Sequence, residues 1–134
     1  MVRLAVDTDL TAIAEVMHLL RERTLFAQTH FPQYAMETVD LVKWILSQML
    51  DHRTAIFVNE VPGGIAGIVG VTYLDMTPPP HLTFLDEWCL WGETTKDVAK
   101  VWRAAKQWGK ARGALFAKRS IVQGRHEDVT WEVL

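Results

Sequence analysis

Residues 82–113 read LTFLDEWCLWGETTKDVAKVWRAAKQWGKARG, and this stretch decides the fold. Its first ten residues are rich in large side chains, which is typical of a strand. A short turn, GETT, leads directly into a long basic helix that Gly113 ends. In an α/β domain such a junction can hold an anion, because the first N–H groups of a helix have no partner inside the helix. The function depends on whether this junction is a working phosphate site or only a structural remnant of one.

The composition is that of an ordinary globular protein. The chain has 134 residues, 49% of them hydrophobic and 22% charged, which fits a single domain spanning residues 1–134 and argues against disorder. The N-terminus has no continuous apolar core, so it does not resemble a signal peptide, and no run of about 18 apolar residues predicts a membrane span. We therefore expect a soluble, cytoplasmic protein.

Neither the cysteine content nor the histidines indicate a metal site. Cys89 is the single cysteine, which excludes an internal disulfide and a cluster of cysteine ligands. We interpret it as a buried, inert thiol rather than a nucleophile. The five histidines, at positions 18, 30, 52, 81 and 126, lack the short paired spacing of a zinc site. The sequence therefore predicts no metal.

The net charge of −2 is distributed unevenly along the chain. Residues 1–95 contain 5 Lys or Arg and 12 Asp or Glu, whereas residues 96–134 contain 9 and 4. Helical spacing places the basic side chains of the long helix on one stripe, formed by Lys96, Lys100, Arg103, Lys106 and Lys110. This stripe is either a solvated face or part of an anion-binding face. Without a recognition motif or a basic overall charge, nucleic-acid binding is an unlikely function.

Hydrophobic periodicity and turn residues predict nine elements in the order β-α-α-β-β-β-α-β-β. Their predicted ranges are 2–6, 10–23, 36–50, 54–61, 65–74, 82–91, 96–112, 114–118 and 127–134. Residues 24–35 are predicted to be a loop whose rings either cover the core or line a substrate groove, and residues 75–81 cannot form regular structure beside three prolines. This order predicts an α/β (α+β) domain with a mixed sheet covered by helices.

Three phrases of the sequence resemble the GNAT family of acetyl-CoA-dependent N-acetyltransferases. VRLAVDTDLTAIAEVM resembles the opening strand and helix of that family, including Arg3 and Asp9. AIFVNEVPGGIAGIVGVTYL resembles its second and third strands, and WRAAKQWGKARGALFA resembles the helix and strand after its cofactor loop. The similarity covers roughly residues 1–118. It implies a single GNAT-like domain with a largely antiparallel central sheet.

The resemblance also implies a reaction and the residues that carry it. Acetyl-CoA would donate an acetyl group to a primary amine on a small molecule or a protein, and Asp86 or Glu87 would accept the amine proton. Because neighbouring strand residues face opposite sides, only one of these two carboxylates can reach a cleft. The cofactor-binding residues implied by the resemblance are Leu90, Trp91, Gly92, Thr94, Thr95, Lys96 and Lys100. Helix capping alone also explains the two threonines.

Two departures from the family pattern favour a second interpretation. The usual Arg/Gln-x-x-Gly-x-Gly/Ala loop is replaced by residues 91–96, which contain one glycine and the carboxylate of Glu93. Members of the family commonly have a further helix after the fifth strand, with a tyrosine that protonates the departing thiolate. This sequence has no counterpart of that helix, and neither Tyr34 nor Tyr73 lies near its position. The second interpretation is a non-catalytic structural or interaction protein, for example of a phage particle, acting as a homo-oligomer or with an assembly partner. Six tryptophans would suit such contacts.

Overall fold

The computed structural model describes residues 1–23, 36–76, 82–123 and 126–134. These residues form one six-stranded sheet with the spatial order β1-β2-β3-β4-β5-β6. The strands are β1 (Val2–Leu4), β2 (Thr54–Val61), β3 (Gly64–Met76), β4 (Leu82–Gly92), β5 (Phe116–Gln123) and β6 (His126–Val133). Every neighbouring pair is antiparallel except β4 and β5, which are parallel. The predicted mixed, largely antiparallel sheet is confirmed.

In the described part of the chain, three helices cover the two faces of the sheet. They are α1 (Leu10–Arg23), α2 (Thr38–Leu50) and α3 (Thr95–Ala111), and a single 3-10 turn, Asp7–Asp9, precedes α1. Helices α1 and α2 pack on one face over Ile56, Val58 and Ile68, whereas α3 packs on the other face over Ala55, Val69 and Val71. These residues alternate along the same two strands, as the two-residue period of a strand requires. The sheet is therefore the shared middle layer of two cores.

Local sequence explains where α3 begins and ends. Thr94 caps the N-terminus, because its Oγ1 accepts a hydrogen bond from the N–H of Asp97 at 3.2 Å while the Asp97 carboxylate accepts from the N–H of Thr94. At the other end Gly113 has a φ of +93°, a conformation that favours glycine. The predicted capping box and the predicted helix stop are both confirmed.

An ion pair joins the beginning of the chain to the sheet. Arg3 donates two hydrogen bonds to the buried carboxylate of Asp9, at 2.7 and 3.1 Å, and a third to Glu60 at 2.6 Å. The hydrogen bonds from Arg3 lower the pKa of Asp9, and the N–H of Val6 lowers it further. The Arg and Asp of the opening phrase therefore form one structural unit between β1, β2 and the start of α1.

Several predicted boundaries differ from the structure. Strand β3 continues through Asp75 and Met76, which were predicted to be irregular, because both residues pair with β4. Strand β5 runs to Gln123 rather than ending at Lys118, since the antiparallel partner β6 extends it. The predicted loop at 24–35 and the proline run at 78–80 lie outside the described residues.

Only part of the apolar surface of α2 is buried. Val39 and Leu50 are 65% and 79% exposed, whereas Leu41 is fully buried beside Ile45. The helix carries more apolar side chains than the sheet can cover. Leu41 and Ile45 are the fully buried residues of α2, and Val42, Trp44 and Met49 pack against the same core while partly buried.

Candidate functional site

The parallel strands β4 and β5 stay together over a very short length. Their register pairs are Phe84 with Phe116, Leu85 with Ala117 and Asp86 with Lys118. Beyond that row β4 continues to Gly92 beside β3 alone, and β5 continues beside β6 alone, within the part of the chain that the structure describes. We call the space between the two separating strands the β4–β5 gap. Its closed end is the row of Asp86 and Lys118, and its open end lies at the start of α3.

Beyond the row of Asp86 and Lys118, no described strand pairs with β4 on the side that faces the gap. Residues 87–92 pair with β3 on their other side, and at a strand rise of about 3.3 Å this edge is roughly 17 Å long. Every second residue on it directs its N–H and C=O into the gap. An extended ligand that carries amide groups could pair with this edge as an additional strand.

A bulge interrupts β4 where the gap begins. Gly70 pairs with Cys89 and Val71 pairs with Glu87, so Trp88 is an extra residue on β4. A Cβ atom on Gly70 would overlap the ring of Trp88, which shows why the strand needs a glycine there. The ring of Trp88 meets Trp44 edge-on at a centroid distance of 5.2 Å. Cys89 is buried beside this bulge, as expected for an inert thiol.

The two predicted catalytic carboxylates lie on opposite faces of β4. Glu87 is in register with Val71, which faces α3, whereas Asp86 is in register with Thr72 on the α1–α2 side. The Nζ atom of Lys118 lies 3.8 Å from Oδ1 of Asp86, and both side chains are about one-third exposed. Each carboxylate thus stands at the closed end of the gap, one on each side of the sheet. Local sequence patterns do not reveal Lys118 as part of this site, because it lies on a different strand.

The junction between β4 and α3 offers few open backbone donors. The N–H of Glu93 donates to the carbonyl oxygen of Ala66 at 2.9 Å, and the N–H of Thr94 donates to the Asp97 carboxylate at 3.2 Å. Asn59 binds the other oxygen of Asp97 at 3.1 Å. Among the described residues, no acceptor lies within hydrogen-bonding distance of the N–H groups of Thr95 and Lys96. These two groups, at the open end of the gap, are available to an anion.

The other predicted cofactor-binding residues lie along the same path. Leu90 packs with the α3-side core and Trp91 with the α1–α2 core, so they flank the free edge of β4. Gly92 lies so close to the first turn of α3 that a Cβ there would stand 2.7 Å from the Val98 nitrogen. The side chains of Lys96 and Lys100 are exposed on the surface of α3. Leu90, Trp91 and Gly92 lie along the open half of the gap, Thr94, Thr95 and Lys96 lie at the start of α3, and Lys100 lies about one turn further along that helix.

A cluster that the sequence analysis did not predict connects α3 to β5 and β6. Trp102 Nε1 donates to Glu132 at 3.0 Å, and Lys106 Nζ donates to the same carboxylate at 2.8 Å. The bond from Lys106, aided by Trp102 and the charge of Arg119, lowers the pKa of Glu132. The guanidinium carbon of Arg119 lies 5.7 Å from the centre of the Trp102 ring. The predicted strand ended at Lys118, so Arg119 was not considered part of it.

Three further observations concern metal sites, membrane spans and a second cleft in the described residues. No group of three or more His, Cys, Asp or Glu side chains could hold a metal ion in the described part of the chain. None of the helices in that part is both long and apolar enough to cross a membrane. A cleft of about 300 Å³ lies at the opposite end of the sheet beside Trp108 and Arg112, and it contains no predicted site residue.

The comparisons with known proteins bear on the fold. No family model matches the chain, and no curated protein matches its sequence. An acetyltransferase from Vibrio fischeri has a TM-score of 0.67 at 15% identity, over 87% of this chain and 92% of that chain. The chain has the GNAT fold. An acetyltransferase of GNAT family from Streptococcus pneumoniae matches with a TM-score of 0.67 at 16% identity, over 94% of this chain and 76% of that chain.

A third solved structure agrees with the other two. An N-acetyltransferase from Staphylococcus aureus Mu50 has a TM-score of 0.68 at 20% identity, over 90% of this chain and 72% of that chain. At these identities the likeness concerns the fold, and a fold alone does not determine an activity. The function of this GNAT-fold chain has to be argued from its own residues.

Proposed function

We propose that this GNAT-fold chain is an N-acyltransferase that moves an acyl group from a coenzyme A thioester to a primary amine. The observation that carries the proposal is the β4–β5 gap, whose strands separate after the row of Asp86 and Lys118 while α3 begins at the open end. A gap of this shape accepts an extended chain along β4 and an anionic group at the helix terminus. Coenzyme A has both parts, a pantetheine arm with two amides and a pyrophosphate.

The residues along the gap fit the cofactor in part. The edge of β4 at residues 90–92, which no described strand covers, suits the amides of the arm, and Leu90 and Trp91 flank it with apolar surface. At the open end the N–H groups of Thr95 and Lys96, with the ammonium groups of Lys96 and Lys100, suit a phosphate. The exposed carboxylate of Glu93 opposes it. We therefore expect weak binding of the phosphates and a larger contribution from the arm.

The transfer requires a proton acceptor at the closed end of the gap. The amine nitrogen attacks the thioester carbonyl, a C–N bond forms and the C–S bond breaks. Asp86 or Glu87 accepts the proton that the amine loses, and the departing thiolate takes a proton from water. Backbone N–H groups of β4 would stabilise the negative charge on the carbonyl oxygen.

Calorimetric titration of the full chain with acetyl-CoA and coenzyme A tests the binding step. We expect binding at millimolar or lower concentration, and Glu93→Gly should strengthen it several-fold by removing a like charge and freeing the turn. Lys96→Gln should weaken binding, whereas Lys110→Gln, at the other end of the same helix, serves as the matched control. Absence of binding at millimolar ligand, with no thermal shift, would contradict the proposal.

The chemical step is tested by the release of free thiol from acetyl-CoA in the presence of a panel of primary amines. We expect either Asp86→Asn or Glu87→Gln to reduce the rate by about 10²- to 10⁴-fold, the usual contribution of a general base, with little effect on cofactor binding. The other substitution then serves as the control, because the two carboxylates lie on opposite faces of the strand. Equal rates for both variants and the wild type would exclude a role for either carboxylate.

A second candidate function is a GNAT-fold structural or assembly protein that does not use the cofactor. It is favoured by the junction, where internal acceptors already occupy the N–H groups of Glu93 and Thr94. It also suits Trp131, which is 49% exposed on the edge strand β6. The titration separates the two candidates, because only the acyltransferase requires the thioester to bind.

A further inference from the structure

Helix α2 carries apolar side chains on two opposite faces. Leu41 and Ile45 face the sheet and are fully buried. Val39, Leu46 and Leu50 lie on the outward face and are 65%, 37% and 79% exposed. A surface helix normally has charged and polar side chains on the side away from its core. The outward face of α2 is therefore suited to contact with another apolar surface.

The spacing along this outward face is that of a seam between two helices. Val39, Lys43, Leu46 and Leu50 follow one another at intervals of four, three and four residues. We call these four residues the outer seam. The intervals are those that separate the d and a positions of a heptad, which face the partner when two helices pack side by side. At 1.5 Å per residue the outer seam is about 16 Å long, so it matches about three turns of a second helix.

The outer seam is complementary to itself when two copies of α2 run in opposite directions. A two-fold axis midway between Lys43 and Leu46 places Val39 against the partner's Leu50 and Lys43 against the partner's Leu46. Every layer then contains a leucine, and the aliphatic stem of Lys43 packs along it while the ammonium stays in water. A parallel arrangement in register would instead place the two Lys43 side chains together, and like charges repel. A single charged side chain within such a seam is a known way of fixing how two helices pair.

The charges at the two ends of α2 favour the same orientation. Glu37 and Asp40 lie at its N-terminal end, whereas His52 and Arg53 follow its C-terminal end, and all four are exposed. The antiparallel register places Glu37 beside the partner's His52 and Arg53, and the two-fold axis repeats this contact at the other end. Arg53 lies 3.4 Å from Asp51 of its own chain, which is longer than a strong charge-assisted hydrogen bond, and its side chain is 57% exposed. Its guanidinium therefore has donors left for the partner's Glu37.

We propose that the outer seam of α2 binds a second copy of this chain, so that the protein forms a two-fold dimer through antiparallel α2 helices. The inference does not depend on the acyltransferase proposal, because none of the outer-seam residues is a candidate site residue. Two helices of this length bury an area near the lower limit of specific interfaces, about 1,000 Å² in total. We therefore expect a dissociation constant in the micromolar range.

Sedimentation velocity of the full chain at micromolar to millimolar concentrations tests the association. We expect a monomer–dimer equilibrium that Leu50→Glu and Val39→Glu each weaken at least about ten-fold, because the two-fold axis places each substitution in the interface twice. Leu115→Glu is the matched control, since Leu115 is also about half exposed but lies outside the helices, and it should leave the equilibrium unchanged. Lys43→Leu should strengthen the dimer, because a charged layer becomes apolar.

The charges at the helix ends provide a test that does not alter the apolar residues. Glu37→Lys and Arg53→Glu should each weaken the dimer several-fold, and the double variant should restore it, because the opposite charges are then exchanged. Circular dichroism and thermal unfolding of each variant verify that the monomer remains folded. An equilibrium that neither the seam variants nor the charge variants change would overturn the inference.

Crosslinking tests the orientation of the two helices. A mixture of Val39→Cys and Leu50→Cys chains should form a disulfide-linked pair on mild oxidation, because the antiparallel register places these positions in the same layer. Either variant alone should remain unlinked, and the native Cys89 is buried. Efficient linking of Val39→Cys to itself would mean parallel helices and would overturn the inference as stated. A chain that remains monomeric at every concentration would also overturn it and would leave the outer seam to a helix of another protein.

Discussion

The pair of Arg3 and Asp9 shows how one buried carboxylate can make stability depend on pH. Asp9 is 5% exposed, and hydrogen bonds from Arg3 and from the Val6 N–H stabilise its ionised form. The pKa of Asp9 is thereby lower in the folded chain than its ordinary value of about 3.9 in the unfolded chain. The stabilisation is fully present above that ordinary value and is lost as the pH falls through the folded pKa.

We therefore predict that Asp9→Asn lowers the free energy of unfolding by roughly 1–3 kcal/mol at pH 7 and flattens its dependence on pH below about 4. Urea unfolding between pH 2.5 and 7 measures both effects. Asp7→Asn is the matched control, because Asp7 is exposed in the same turn. A pH dependence for Asp9→Asn as steep as that of the wild type would mean that other carboxylates produce it.

At the scale of the element, Gly109 sets how closely α3 approaches β4. Glycine is normally unfavourable inside a helix, and replacing an exposed one with alanine gains up to about 1 kcal/mol. Here a Cβ atom would overlap the side chain of the fully buried Leu85. We predict that Gly109→Ala instead lowers the free energy of unfolding by about 1–3 kcal/mol, because overpacking outweighs helix propensity.

Urea unfolding compares this variant with Gln107→Ala, a change at an exposed position of the same helix. The control should be neutral or slightly stabilising, as helix propensity alone would give. Stabilisation by Gly109→Ala would mean that the helix can move away from β4 at little cost.

Helix α3 also illustrates how far the sequence predicts the structure. Its boundaries follow from Thr94 and Gly113, which are local signals, and both were recognised. Its buried face includes Trp102, which is 4% exposed, whereas Trp108 is half-buried beneath Arg112. The four-residue spacing of Val101, Ala105 and Gly109 indicates which face of the helix is buried. This pattern is easily missed in the sequence, because glycine is not counted as an apolar residue.

The candidate site depends on contacts that local patterns cannot reveal. Asp86 and Glu87 were expected on opposite faces of one strand, which the register supports. Lys118 and Arg119 join them only because β5 returns beside β4 after a helix of 17 residues. The length of the parallel pairing, three rows, is set by tertiary packing. For this reason the gap is visible in the structure and not in the sequence.

At the scale of the whole molecule, the two cores share one sheet, and residues 1–134 should therefore unfold as a single domain. On strand β2, Ile56 and Val58 face α1 and α2, whereas Ala55 faces α3. Loss of either helical layer would expose one apolar face of every central strand. We predict one cooperative transition, with urea midpoints that coincide by far-UV circular dichroism and by tryptophan fluorescence.

A matched pair of variants makes this prediction stringent. Ile45→Val trims the α1–α2 core and Val101→Ala trims the α3 core, and both side chains are fully buried. Each should lower the free energy of unfolding, by about 0.5–1.5 kcal/mol for Ile45→Val, and each should shift both probes equally. Trp44 lies in the first layer and Trp102 in the second, so the part of the fluorescence change that is lost on Trp44→Phe or on Trp102→Phe reports the transition of that layer among the six tryptophans. A Val101→Ala variant that shifted the midpoint of the Trp102 signal but not that of the Trp44 signal would contradict this prediction. The two layers would then be separate folding units, because a shared sheet would transmit the loss of stability from one face to the other.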